Sequence, residues 1–393
     1  MTALWAPVRR EAEGLPPVRF SADFASPTGY ANDARMLAYA LIQAGVDVTL
    51  DAIPMDCGTA HFGPVAEALR PHIDRELDAP IQILDTIPSF WPQYRRKDAQ
   101  HAVARLAWET DTTPPEWAQL ARRCAIDEVW TPSTFNRTVL SDGLRAPGFT
   151  VPMAHDLDFI DQHSEGLDLR EQGVANDVFV FLTVGTWIKR KNFEGLLASY
   201  CAEFGPDDAV CLVLKVNSGR VDAAARAAIE AEVADILISL GADRRLPPII
   251  ILQQHLPTAE MIGLYRRAQC GVFPTFGEGW GLPISEMMAC GTSSIVTGWG
   301  GVLEFCDETT ACLLPYQPTP VRGMRPMPWY DARHSWAEPD LCALRGHMRY
   351  VFEHRDEWQK TGWVAKRRIQ ENYNMRAVAL RMVARLRAIA GGL

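Results

Sequence analysis

Short apolar runs alternate with helix-patterned stretches along this chain, and the series occurs twice. In the first series VRFSADF (18–24) passes through SPTGYAND into a stretch whose Ala34, Leu37, Ala38, Leu41 and Ile42 share one helical face. Gly45 and the strand-like VDVTLDAI follow, then the runs IQILDT (81–86), VARLAW (103–108) and DEVWTPS (127–133). The polar segment HDLDFIDQHSEGLDLREQGVAND interrupts the pattern, which restarts with DVFVFLTVG (177–185), AVCLVLKV, PPIIILQQ, CGVFPTF and SSIVTGWGG. Between these lie helical patterns in NFEGLLASYCAEF, the Ala-rich AAARAAIEAEVADILISLG, the stretch around MIGLYRRA, and one opened by Pro283. Alternation of this kind specifies parallel sheets wrapped by helices, and unbroken apolar runs suit strands buried on both faces.

At 393 residues the chain is too long for a single ordinary core. The expected fold class is therefore α/β, with two Rossmann-like doubly wound domains. They are assigned to residues 1–165 and 166–360, and a C-terminal helical segment occupies 361–393. The Pro-rich stretch 315–340 reads as an irregular surface loop. RRIQENYNMRAVALRMVARLRAIAGG reads as an amphipathic helix with Leu380, Val383, Leu386 and Ile389 among its apolar positions.

Charge and cysteine usage narrow the function. A net charge of −9 argues against a general nucleic-acid binder, which would carry a basic footprint. Nine cysteines are scattered without a CxxC pair, several inside apolar runs, as reduced core thiols would be. The N-terminal MTALWAPVRREAEG has no apolar leader core and no segment has the length of a membrane span, so the expected location is cytoplasmic.

Chemistry concentrates in FPTFGEGWGLPISEMMACG (273–291), where Glu278 and Glu286 have seven residues between them. In doubly wound sheets ligands bind at the carboxyl ends of strands, and CGVFPTF ends here. Gly277, Gly279 and Gly281 let backbone approach a ligand, while Pro283 suits the first position of a helix. A helix start offers unpaired N–H groups and partial positive charge to phosphate. The bland alternative is an acid favourably placed in a first helical turn.

The phrase FGEGWGLPISEMMACG, followed by GWGG, resembles the E-x7-E signature of retaining two-domain glycosyltransferases of family 4, which have the GT-B fold of two facing domains with a donor cleft. That resemblance implies Glu278 beside the donor sugar and Glu286 on the nucleotide ribose, with the amides of Gly279, Trp280, Gly281 and Leu282 meeting sugar and diphosphate. TWIKRKNFEG looks like the family's phosphate loop: Lys191 matches its basic residue, and Arg190 supplies a second charge because Thr186 stands where many relatives have arginine. Arg190 and Lys189 are each equally well part of a solvated basic turn, and Lys215, closing an apolar strand, is a weaker candidate for the same pocket. SPTGYAND resembles the glycine loop facing the donor, which singles out Gly29 and Tyr30. AWETDTTPPEW with DEVWTPSTFNR resembles a subgroup carrying a W-E-T-D segment. There Glu109 stands where relatives place an acceptor-site histidine, while Asp111 or Thr110 reads as the cap of the next helix.

Asp156 and Asp158 invite a metal reading, but VPMAHDLDFI resembles the family's hinge, and no H-x3-H spacing is present. The resemblance thus implies a metal-independent hexosyltransferase with no cofactor beyond its nucleotide-sugar co-substrate, GDP- or UDP-linked. Its acceptor is expected to be a saccharide or lipid-linked saccharide in surface polysaccharide or glycolipid synthesis. The basic last helix, with Arg376, Arg381, Arg385 and Arg387, is expected to pack back across the domains; peripheral contact with the inner membrane is its second reading. Two other functions stay open: a nucleotide-sugar epimerase, and a carbohydrate-binding protein with a retired site, for which Thr186 and the loss of the family's aspartate at Gln269 speak. A dehydrogenase is disfavoured because no GxGxxG follows the first strand.

Overall fold

The computed structural model describes residues 2–54, 63–218, 222–241, 245–324 and 327–393. Cys57, and residues 325 and 326 of the expected loop, lie outside them. The chain forms two compact units, one of Met1–Asp156 with Glu371–Leu393 and one of Leu157–Gln370. The sequence alone drew the lines at 165/166 and 360/361.

The first unit is a six-stranded parallel sheet of β1 (Val18–Ala22), β2 (Val48–Ala52), β3 (Ile81–Asp85), β4 (His101–Arg105), β5 (Glu128–Thr131) and β6 (Gly148–Thr150), in the order β2-β1-β3-β4-β5-β6. The second is a six-stranded parallel sheet of β7 (Phe179–Thr186), β8 (Val210–Asn217), β9 (Ile249–Leu252), β10 (Cys270–Phe273), β11 (Ser294–Thr297) and β12 (Ala311–Leu314), in the order β12-β11-β10-β7-β8-β9. This is the GT-B-like α/β fold. Strands β6 and β12 escaped the sequence reading because GFT and ACLL are too short to show a period.

In each unit the strand order reverses beside the first strand, and such a switch point leaves a crevice at the carboxyl ends. In the second unit it falls between β7 and β10, so the loops after those two strands are brought together. The core of that unit packs Phe181, Leu212 and Leu214 of the sheet against Leu196 and Tyr200 of the helix Phe193–Glu203 and Met348 of the helix Leu341–Glu353.

Two expectations are corrected. The basic C-terminal stretch is not one helix: Arg355–Asn372 ends ahead of Asn374, whose side chain caps Met375–Ala390 by accepting from Ala377 N. The second of these buries Val378, Met382, Val383, Leu386 and Ile389 in the first unit's core, whereas Leu380 is exposed. Within that unit Arg385 makes a bidentate pair with buried Glu128, and Arg387 donates to Glu11 O. The stretch 315–340 is not a plain loop either. β13 (Tyr316–Pro320) and β14 (Ser335–Pro339) pair antiparallel, and the prolines fit because a two-stranded ribbon has only edge strands, in which alternate residues need not donate to the ladder. Among the described residues no helix is long and apolar enough to cross a membrane.

Candidate functional site

The loop after β10 is held by its backbone from two sides. From the loop after β7, Asn192 Nδ2 donates to Pro274 O at 3.0 Å, and Phe276 N donates to Arg190 O at 2.9 Å. From the segment after β11, Thr297 Oγ1 donates to Thr275 O at 2.6 Å, and Gly301 N donates to Glu278 O at 2.7 Å. The glycine pair of GWGG has a steric reason: a Cβ on Gly301 would lie 1.8 Å from Gly279 O, and one on Gly300 2.9 Å from Glu278 O. Gly281 adopts φ 95° and ψ 59°, the left-handed conformation that starts the helix Leu282–Ala289 without any side-chain cap. Pro283 is thereby the second residue of that helix, not its first.

Glu278 is 5% exposed, and both its oxygens are paired. Lys191 Nζ donates to Oε1 at 2.6 Å; Arg190 Nη1 donates to Oε2 at 3.1 Å and to Gly277 O at 2.6 Å. Burial raises the carboxyl's pKa, but the Lys191 and Arg190 charges and their hydrogen bonds outweigh it, leaving Glu278 below the ordinary carboxylate value. The two cations arrive through a short 3₁₀ turn, Lys189–Lys191, closed by Asn192 in left-handed geometry, φ 54° and ψ 44°. Asparagine tolerates that region, and its Oδ1 accepts from Gly195 N to cap the next helix. Arg190 is thus a buried partner of Glu278, whereas Lys189 pairs at the surface with Glu194.

Glu286 sits one turn into the helix Leu282–Ala289 and accepts a 2.7 Å hydrogen bond from Tyr265 Oη. Desolvation pushes its pKa to about 7, against the lowering effect of the tyrosine. The Trp280 indole serves the fold: it is 1% exposed, donates to Ser285 Oγ at 2.9 Å and packs on Phe305. Any ligand contact by Trp280 therefore falls to its backbone. Gln269 bonds strand to strand, its Oε1 accepting from Val180 N at 2.7 Å.

The β13–β14 hairpin reaches the site, which the sequence reading missed. Trp336 stacks on Phe276 with ring centroids 4.7 Å apart and planes at 16°, and Ala337 N donates to Phe276 O at 2.7 Å. Val321 and Met324 complete this apolar cluster two residues from Glu278.

In the first unit Gly29 opens the helix Gly29–Gln43, capped by Thr28 Oγ1 accepting from Ala31 N, and Tyr30 is half-exposed. Glu109 is buried in the segment after β4. The W-E-T-D segment is fixed by the T-P-S-T-F-N segment, since Asn136 bonds both N and O of Trp108. The capping expectation fails for Asp111 and Thr110: the helix Pro115–Arg123 has Pro114 as its N-cap residue with no side-chain cap, and Thr110 Oγ1 donates to Thr112 O. Asp156 ends the first unit and Asp158 lies in the first turn of Leu157–Gln162. Among the described residues no group of three His, Cys, Asp or Glu could hold a metal ion. Sequence reasoning also passed over Asp85, at the end of β3 beside the switch point, whose carboxyl burial pushes up to about 8 while Arg105 draws it down. Asp33, itself paired with Arg105, adds to the rise through its like charge. The only signal was an acid closing an apolar strand.

Residues 179–320 match the family model described as glycosyl transferases group 1, so the chain carries a domain of that kind. The D-inositol 3-phosphate glycosyltransferase of Thermobifida fusca is 30% identical over 149 residues, 37% of this chain and 33% of that one. The enzyme of the same name from Paenarthrobacter aurescens is 27% identical over 224 residues, 52% of this chain and 50% of that one. The chain thus spans half or less of the length of these curated relatives. In fold it is similar to sucrose-phosphate synthase from Thermosynechococcus elongatus, with TM-score 0.67, 19% identity, and coverage of 96% of this chain and 100% of that one. It is likewise similar to Anabaena HepE, solved in complex with UDP and glucose, with TM-score 0.67, 12% identity, and coverage of 95% and 100%.

Proposed function

We propose that the protein transfers a hexose from a nucleoside-diphosphate sugar, GDP-mannose or a UDP-hexose, to a saccharide or lipid-linked saccharide, with retention at the anomeric carbon. The observation that carries this reading is the buried carboxylate of Glu278, held ionised by Lys191 and Arg190 on the loop that leads into the helix Leu282–Ala289. The match to a glycosyltransferase group 1 domain covers all of these residues, and HepE was solved with UDP-glucose.

Breaking the bond between the anomeric carbon and the diphosphate leaves positive charge on the sugar and negative charge on the departing phosphate. Glu278 steadies the first; Lys191 and Arg190, already fixed by their pairing with Glu278, steady the second. Amides of Gly279 to Leu282 add the partial charge of a helix start, and Glu286 takes the ribose hydroxyls. Most of the protein's contribution is then placement and charge, with no metal ion needed in that assignment. Glu109 accepts from the acceptor hydroxyl. The reaction takes place in the cytoplasm and serves surface polysaccharide or glycolipid synthesis. A lipid-linked acceptor brings the protein to the membrane's inner face, toward which the exposed Arg376 and Arg381 would turn.

The test is a panel of GDP-mannose, UDP-glucose, UDP-galactose and UDP-N-acetylglucosamine with candidate acceptors, run on the wild type and Glu278→Gln. A new glycoside is expected, and loss of the carboxylate should slow its formation by at least ~100-fold, as removal of one charge-stabilising group does. Full-rate transfer by Glu278→Gln refutes the assignment. An isomerised donor without glycoside identifies an epimerase instead.

A further inference from the structure

Lys215 lies two residues before the end of the apolar strand β8, is 8% exposed, and has no hydrogen bond or ion pair among the described residues. Burial alone draws its ammonium below the ordinary lysine value; no neighbouring carboxylate offsets that desolvation. Arg190 and Lys191 differ, since both share the carboxylate of Glu278. The side chain is largely desolvated, yet its nitrogen is not among the fully buried atoms that lack a partner, so the ammonium tip opens to solvent, where a ligand anion can meet it.

Its position follows from the strand register. Val213, two residues before Lys215 and so on the same side of the sheet, lies beside Leu182 of β7, which in turn lies beside Gly271 of β10. A Cβ on Gly271 would stand 2.9 Å from Met287 Sδ, on the helix Leu282–Ala289. Lys215 therefore occupies the sheet face that carries this helix. It stands at the carboxyl rim, where the helix begins without a side-chain cap. One face and one rim thus hold a helix start with partial positive charge and an unpaired cation.

We propose that Lys215 is a further anion-binding residue of the nucleotide site, its ammonium pairing with a phosphate oxygen of the nucleoside diphosphate docked on the start of the helix Leu282–Ala289. This rests on the donor reading above and extends it to a residue outside the two signature loops. Lys215 has no carboxylate partner among the described residues, so its ion pair forms only when the ligand arrives. That makes it a contributor to affinity for the diphosphate and not for the nucleoside.

Calorimetric titration of wild type, Lys215→Met and Lys215→Gln with UDP, GDP, uridine and guanosine tests this. The expected result is a roughly 10- to 100-fold weaker dissociation constant for the preferred diphosphate, the value of a lost charge-assisted bond, with nucleoside affinity unchanged. Wild-type affinity of either variant for the diphosphate overturns the proposal; an equal loss for nucleoside and diphosphate overturns it too, by moving the contact to base or ribose. Should Lys215→Met fail to fold, the glutamine variant carries the same comparison. A wild type that binds neither UDP nor GDP, nor their sugar conjugates, refutes the donor reading itself and this assignment with it.

Discussion

Replacing Gly301 by alanine puts a methyl group where a Cβ would lie 1.8 Å from Gly279 O and 2.9 Å from Glu278 O. Both obstacles are backbone atoms of the loop that carries Glu278, so neither can swing aside as a flexible side chain would. Relief requires the two segments to separate, and the 2.7 Å bond from Gly301 N to Glu278 O is then stretched or lost. Overpacking costs ~1–3 kcal/mol and a lost buried hydrogen bond ~1 kcal/mol, so the variant should lose about 2–4 kcal/mol of stability. In a unit of this size that lowers the melting temperature by roughly 5–15 °C. Displacing Glu278 by about an ångström should slow sugar transfer ~100-fold, because catalysis by placement is sensitive on that scale. Gly346→Ala is the matched control: it lies inside the helix Leu341–Glu353, and nothing is within 4 Å of its added Cβ. Alanine there should stabilise by ~0.5–1 kcal/mol, since glycine is the poorer residue in a helix interior. Differential scanning calorimetry and a transfer assay on both variants decide the matter. A Gly301→Ala protein that melts with the wild type and transfers sugar at the wild-type rate refutes the claim that GWGG clamps the loop.

Trp336→Ala removes the ring stacked 4.7 Å from Phe276 and should cost ~3–5 kcal/mol, the usual value for a buried aromatic; transfer should fall with it, whereas unchanged turnover would mean that the hairpin does not support the Glu278 loop. Glu286 sets a pH dependence whose sign follows from its raised value. Its carboxyl has a folded pKa of about 7 against an ordinary 4.5, so the folded state holds the proton more tightly. That contribution to stability is complete below pH 4.5 and is lost as the pH rises through 7. Chemical denaturation at several pH values should show the decline between these limits, and Glu286→Gln should flatten it; an identical slope in the variant rules the residue out as its source.

Much of this protein was readable from the chain. The apolar run DVFVFLTVG became β7, CGVFPTF became β10, and the loop between β10 and the next helix holds Glu278 as its glycines implied. Period, run length and glycine placement are local properties, and local properties survive in sequence. The stretch 315–340 marks the limit. Its prolines indicated an irregular loop, but Trp336 found an apolar partner in Phe276, sixty residues earlier in the chain, and a hairpin formed around that contact.

The residue types at the site were likewise fixed locally, but not their partners. Sequence offered Lys189, Arg190 and Lys191 as one basic run; the left-handed turn at Asn192 sends two of them to Glu278 and leaves Lys189 at the surface with Glu194. Leu380 matched the apolar period of the last helix and yet faces outward, because the first unit's core selects the face carrying Met382 and Leu386. Asp85 ends β3 and Lys215 lies two residues before the end of β8; the sequence passed over the first and offered the second only as a weaker candidate, because neither has a neighbour in the chain that reveals its surroundings. The sequence determined where strands, helices and glycine turns fall, since these depend on residues a few positions apart. Only the tertiary structure decided which charges are paired, buried or left without a partner, since that depends on groups the fold brings together from distant positions.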